Sequence, residues 1–205
     1  TESLKEILSI QYPQFTEEVR DALNSKIGKQ LLNWQMAGML VGGIFWGILG
    51  DKKGRLSVLF GSILTYSLAN IANGMINSVE LYKVLRFVSG FGLAGELGAG
   101  ITLVSESMDK DKRGYGATIV ATVGVFGAVV AGFMGDVISN WRYSFYIGGG
   151  MGLALLLMRI GVFESGMFDK VKEDHTIKKG DMMLLFKSKQ NLKKYLCIIF
   201  TTVPV

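Results

Sequence analysis

Arg86 and Glu96 stand ten positions apart in a stretch, Val79 to Val104, that is otherwise mostly apolar and glycine-rich. If that stretch crosses a membrane, Arg86 lies about 10 Å inside it, at roughly 1.5 Å per helical residue. A cation at such depth costs several kcal/mol unless it is paired or hydrated, so ionisable residues there are functional candidates. Glu96 follows about 15 Å further along, and its side chain projects about 80° away from that of Arg86. Both can border one interior cavity. Glu96 then suits binding of a proton or a cationic group, and Arg86 suits tuning it or binding an anion. A buried structural ion pair is the competing reading.

Two further groups of charges lie outside the apolar runs. The first is Gly47-Ile48-Leu49-Gly50-Asp51-Lys52-Lys53-Gly54-Arg55. Gly47 and Gly50 permit close helix approach, and Gly54 permits a tight reversal. Asp51 is expected just ahead of the next helix, where its charge favours the helix N-terminus. A carboxylate among cations at a helix end can latch in one conformation and release in another. A loop that merely fixes topology has the same composition. The second group is Glu106 and Arg113, six residues between them, which form either a charge network or a solvated loop with Asp109, Lys110, Asp111 and Lys112.

The elements that must position these residues follow from hydropathy. Runs of about 20 apolar residues span roughly 30 Å of hydrocarbon. Such runs occupy about 31–50, 56–76, 79–104, 115–138 and 143–162, and a sixth begins near Tyr195. The fold class is therefore all-α, a polytopic membrane helical bundle in contact with the lipid bilayer. Residues 1–30 are polar, with one short amphipathic helix expected after a Thr16 cap, or else a solvated loop. Residues 31–162 form the transmembrane bundle, 163–194 a basic linker, and 195–205 the start of a further span. Both ends of the chain read as cut.

The net charge is +5. The lysines fall on alternate connections beside apolar runs, as the positive-inside rule describes, and not in a nucleic-acid patch. This places Lys52, Lys110, Lys112, Arg113 and the 163–194 segment in the cytoplasm. One histidine (His175) and one cysteine (Cys197) argue against a metal centre or a disulfide framework. No phosphate-binding Gly-x4-Gly-Lys-Ser/Thr occurs. Gly90, Gly92 and Gly95 fit Gly-x-Gly-x-x-Gly, but inside an apolar helix and not at a strand-to-helix turn. No cofactor and no enzyme chemistry are indicated. Gln35, Asn70, Asn73, Thr102, Thr118 and Thr122 suit a hydroxylated or carboxylated solute, and equally suit helix–helix hydrogen bonds.

The 47–55 stretch resembles the Gly-x-Leu-x-Asp-x-x-Gly-Arg loop of the major facilitator superfamily, which joins transmembrane helices two and three on the cytoplasmic side. Leu56 stands where a second basic residue usually follows. The run from Arg86 to Glu96 resembles that family's helix-four motif. Glu106 and Arg113 are similar to its Glu-x6-Arg element between helices four and five. Trp141-Arg142 resembles the start of helix six. Phe163-Glu164-Ser165 resembles the Pro-Glu-Ser element after it, with phenylalanine in place of proline. The resemblance is greatest to metabolite–proton symporter and sugar-porter-like members.

That resemblance implies the N-terminal half of such a transporter, helices two to six and the start of seven, with helix one and the C-terminal half absent from the chain, residues 1–30 as the extracytoplasmic loop after helix one and 163–194 as the cytoplasmic linker between the two halves. It implies alternating access for a small polar organic solute, a sugar or an organic acid, coupled to a proton bound at Glu96. It implies a gate built from Gly47, Asp51, Lys52, Gly54, Arg55, Glu106, Arg113 and Glu164. It also implies a multi-pass protein of a cell membrane, a bacterial inner membrane by preference. The alternatives are a truncated half that acts in binding or assembly, and another multi-span bundle such as a channel.

Overall fold

The computed structural model describes residues 2–138 and 140–158, apart from the side chains of Glu2, Leu56, Glu106, Ser107, Lys110, Asp136 and Val137. Every regular element among them is helical: α1 (Glu2–Gln11), α2 (Glu17–Lys53), α3 (Arg55–Met75), α4 (Val79–Ser107), a single 3-10 turn at Lys110–Lys112, α5 (Arg113–Val137) and α6 (Trp141–Met158).

The leading segment departs from the expected loop. Residues Glu2–Gln11 form a helix of their own, and the helix that starts after Thr16 does not end before the first span. Thr16 caps it through its backbone, accepting from Arg20 N–H at 3.0 Å, with no side-chain cap bond. No proline interrupts residues 17–53, and Asn24, Ile27 and Leu31 are buried along one side, so the helix continues unbroken. Its 37 residues extend about 55 Å, well beyond the roughly 30 Å of a hydrocarbon core. The polar first turns of α2 thus project past the apolar part of the bundle.

α4 is the central element, packed against both α2 and α3, while α3 carries α6. Small residues set the contacts. A Cβ at Gly38 would meet the Phe87 carbonyl oxygen, one at Gly42 that of Phe91, and one at Gly90 that of Gln35, all far inside contact distance. Without hydrophobic drive between helices in lipid, such backbone approach supplies the packing. The pairs 38–87 and 42–91 advance together, so α2 and α4 run in the same direction. Gly92 and Gly95 meet Tyr66 and Ser62 in reverse order, so α3 runs antiparallel to α4. Gly149 and Gly152 meet Ile71 and Ser67, which sets α6 antiparallel to α3. The Asp51–Arg55 turn and the 108–113 turn therefore lie at the same end of the bundle, the basic end. α1, the 76–78 connection and Trp141 lie at the opposite end.

α2, α4 and α5 are each long and apolar enough to cross a membrane. α3 turns its polar side chains Ser62, Ser67, Asn70 and Asn73 inward, where they are buried inside the protein and away from lipid. α6 opens on Trp141 and Arg142, which cap the opposite end. α5 touches α4 and α6 only lightly and exposes Val123, Phe126, Val129 and Phe133, apolar surface suited to lipid. The helices agree with the expected spans to within a few residues at each described end except the start of α2, which lies well before the expected first span.

Gly54 joins α2 to α3 with φ 96° and ψ 154°. This region is open to glycine and costs other residues about 1–3 kcal/mol. Its N–H donates to Gly50 O at 3.0 Å, closing α2, and its own carbonyl accepts from Val58 N–H at 3.4 Å, opening α3. Gly54→Ala is expected to lower stability by about 1–3 kcal/mol, measured as a lower midpoint of thermal unfolding in detergent.

Candidate functional site

Arg86 projects from α4 into a cage built by three helices. One terminal nitrogen, Nη2, donates to Tyr82 OH at 3.0 Å, and the other, Nη1, donates to Gln35 Oε1 on α2 at 3.3 Å. The guanidinium carbon lies 5.2 Å from the Tyr82 ring centre and 5.1 Å from that of Phe145 on α6. Each ring face attracts a cation by about 1 kcal/mol, more where water is excluded. Nε is buried and has no hydrogen-bond partner among the described residues. All these partners are neutral, and Arg86 makes no ion pair among the described residues. A guanidinium stays protonated in proteins. The cage therefore holds a full positive charge with no anion against it among the described residues.

Glu96 is half-buried on the same helix. It is not among the partners of Arg86, and ten residues of α4 separate them by about 15 Å. The structure does not bring the two together as a direct pair. The residue before it, Gly95, faces Trp46 and Ser62, and Trp46 itself donates its indole N–H to Phe91 O at 2.8 Å.

At the basic end, Arg55 Nη1 lies 3.3 Å from Asp51 Oδ1, joining the end of α2 to the start of α3 across Gly54. Asp51 does not precede the next helix as expected. It sits in the last turn of α2, where the helix dipole disfavours a carboxylate, and Arg55, Lys52 and Lys53 offset this. An exposed pair of this spacing contributes about 0.5 kcal/mol. Gly50 leaves room for the Arg55 guanidinium, which would stand 3.0 Å from a Cβ there. Gly47 plays a different part from the close helix approach expected of it. Nothing lies within 4 Å of its Cβ position, and it borders a cavity of about 160 Å³ among α2, α3 and α4, with Gly43, Trp46, Arg55, Gly98 and Thr102. The close approach occurs instead earlier on α2, at Gly38 and Gly42. Lys52 is exposed at the same end.

Arg113 Nε donates to Met108 O at 3.3 Å, tying the start of α5 to the end of α4. The side chain of Glu106 and the whole of Glu164 lie outside the described residues, as do the 163–194 linker and the 195–205 segment. The gate proposed from Glu106, Arg113 and Glu164 thus has only Arg113 placed, at the basic end with Asp51 and Arg55.

Sequence reasoning missed the construction of the opposite end. Arg142 gathers the end of α3: Nη1 donates to Gly74 O at 2.9 Å and Ile76 O at 3.2 Å, and Nη2 donates to Asn77 Oδ1 at 2.6 Å. Tyr146 OH adds a bond to Gly74 O at 3.0 Å. These donors meet carbonyls that have no partner within their own helix. Glu6 of α1 accepts from Trp141 Nε1 and lies 3.4 Å from Arg142 Nη2. The signal for Arg142 was present in the Trp-Arg pair. That for Glu6 was not, because nothing in a polar leading segment distinguishes one carboxylate from the next.

The sequence profile described as the Major Facilitator Superfamily matches residues 10–203. A Haemophilus influenzae protein named for metabolite transport is 30% identical over 188 residues, covering 85% of this chain and 45% of its own length. The cis,cis-muconate transport protein of Acinetobacter baylyi is 29% identical over 175 residues, covering 80% of this chain and 42% of its own length. The chain thus spans less than half the length of each. The xylose transporter XylE from E. coli, in its inward open conformation, shares the fold with a TM-score of 0.63 at 16% identity, over 98% of this chain and 50% of XylE. Its relatives and fold are those of transporters and not of enzymes. From the match along nearly its whole length and from this arrangement of helices, the chain belongs to the Major Facilitator Superfamily, as a multi-pass membrane protein corresponding to the N-terminal half of such a transporter.

Proposed function

We propose that this protein is a secondary active transporter of small organic acids, working by alternating access with proton symport. The observation that carries the reading is Arg86, a permanent cation deep in the bundle whose described partners are all neutral. Such a charge attracts a carboxylate, and the guanidinium fork matches carboxylate geometry. The muconate-transporting relative moves a dicarboxylate, which fits. A neutral sugar, the other class expected, would leave the charge of Arg86 uncompensated, so the organic acid is preferred.

Helix-bundle transporters of this kind carry their solute near the membrane midplane and rock two bundles around it. In this reading the basic end faces the cytoplasm, by its lysines and arginines. The Asp51–Arg55 pair then serves as part of an inner latch. A contact of about 0.5 kcal/mol holds one state without trapping it, as a cycling carrier requires. Lys52 and Arg113 add positive charge to the same rim, and Gly47, Gly50 and Gly54 leave space for the latch to move.

Glu96 is the proposed proton site. Protonation neutralises its carboxylate, so proton and solute anion together enter with less net charge than the anion alone. Glu96→Gln is expected to abolish accumulation driven by a proton gradient, while exchange of labelled for unlabelled solute across the membrane persists. Proteoliposome uptake with and without a pH gradient measures both. Gradient-driven accumulation at the unmodified level would remove Glu96 from the coupling.

The solute class is tested by uptake of labelled carboxylates and sugars at two external pH values. Saturable uptake of carboxylates, inhibited by other carboxylates and indifferent to sugars, is the expected result. Uptake of sugars alone would overturn the organic-acid reading.

A further inference from the structure

We infer that α1 is a lid that closes the Arg86 cage from the end opposite the basic turns, and that Glu6 is its clasp. The inference rests on the reading of Arg86 as the solute site.

α1 is sharply two-faced. Leu4, Ile7 and Leu8 are completely buried, in one cluster with Ile27 and Leu31 of α2, Ile76, Val79 and Tyr82, and with Trp141 and Phe145 packed against it. Tyr82 and Phe145 are the same two rings that flank the Arg86 guanidinium. The apolar face of α1 therefore rests on the aromatic walls of the cage. Ser3 Oγ lies 3.5 Å from Tyr82 OH, the atom that accepts from Arg86. The polar face is different. Lys5, Glu6 and Ser9 line an open cleft of about 370 Å³ with Glu17, Arg20 and Asp21. Water thus reaches the back of α1 while its front covers the cage.

Polar contacts around this helix's edge hold it in place. Glu6 takes the Trp141 indole N–H and pairs with Arg142, and Lys5 pairs with Asp21 at 2.8 Å. Gln11 Oε1 accepts from Val79 N–H at 3.3 Å, where α4 begins. The Trp141 ring stands edge-on to Phe145, and Phe145 edge-on to Tyr82. A continuous line of contacts thus runs from Glu6 through Trp141, Phe145 and Tyr82 to Arg86. Of these contacts, the Glu6 bonds are the ones that tie α1 to α6. α1 has no proline or glycine within it, and residues 12–16 connect it to α2 without helical structure. It can leave as a unit by turning about that connection.

Cysteine labelling tests the lid without requiring transport. Gln35→Cys, made in a Cys197→Ser background, places a thiol beside the Arg86 cage. Its reaction with a membrane-impermeant methanethiosulfonate reagent is followed in sealed vesicles with the α1 end outward. The thiol is expected to react slowly while α1 is docked. Glu6→Gln is expected to accelerate it about tenfold, the factor given by about 1.4 kcal/mol. Trp141→Phe, which keeps a ring against Phe145 but removes the donor to Glu6, is expected to act in the same direction and serves if Glu6→Gln does not fold. Arg142→Lys, joined to Glu6 as an amide by a carbodiimide that leaves the Gln35→Cys thiol untouched, is expected to suppress the labelling. Equal rates in the reference, the Glu6→Gln and the tethered proteins would overturn the lid. If the rates change as expected but Arg86→Ala transports carboxylates normally, the lid stands and the solute reading falls.

Discussion

Arg86→Ala will reduce carboxylate uptake about 30- to 140-fold, because a hydrogen-bonded charge pair lost from a half-buried site costs about 2–3 kcal/mol. Arg86→Lys keeps the charge but loses the planar fork and its stacking between two rings, and is expected to fall between, about tenfold down. The order alanine below lysine below arginine distinguishes an anion site from a purely structural one. If Arg86 served only to bind Tyr82 and Gln35, both replacements would act on stability, and uptake per folded molecule would be unchanged. Initial uptake rates normalised to the monodisperse fraction in detergent separate these outcomes. Normal uptake by the alanine variant would end the reading of Arg86 as the solute site.

The second large effect concerns Gly90. A single methyl there would fall on the Gln35 carbonyl oxygen, and its next neighbours are the carbonyl carbon at 3.0 Å and Cα at 3.2 Å. All are backbone, so no side chain can rotate away. Gly90→Ala must push α2 from α4, and is expected to destabilise the bundle by about 3 kcal/mol. It also shifts Gln35, one of the two hydrogen-bond acceptors of Arg86. Gly124→Ala on α5 is the matched control, since nothing lies within 4 Å of its Cβ position, and it is expected to leave stability nearly unchanged. Thermal unfolding of the two variants in the same detergent makes the comparison. Equal midpoints would mean that the α2–α4 contact does not hold the bundle together.

Much of the architecture was legible before any coordinates. Hydropathy placed the spans because lipid leaves a backbone one solution of this length, the helix. Charge marked the basic connections, and the register of Gly38 and Gly42 against Phe87 and Phe91 shows that the 51–55 and 108–113 turns share one end. Arg86 was recognisable as a candidate because an arginine ten ångströms inside an apolar run has no inexpensive explanation. Gly54 was recognisable too, since a reversal of that sharpness requires a backbone that only glycine adopts freely.

Other features were beyond a one-dimensional reading. Gly47 and Gly38 look alike in sequence, yet one borders a cavity and the other touches a neighbouring backbone. Which of them does so depends on the rotation of α2 against α4. The side of the turn on which Asp51 falls is not legible either, because a shift of the boundary by three residues exchanges one helix pole for the other. α1 is not legible as a helix because its buried set, Leu4, Ile7 and Leu8, is too short to form a span. Its burial depends on three other helices supplying the opposite surface.

The sequence by itself determined the class of environment, the order of the helices among the described residues and the presence of a costly half-buried cation, because each follows from the transfer energy of local groups. Only the tertiary structure decided the surroundings of that cation. Gln35, Tyr82 and Phe145 come from three helices up to about a hundred residues apart, and their convergence is set by how glycine faces allow those helices to approach, a property of pairs of surfaces that no single stretch of chain contains.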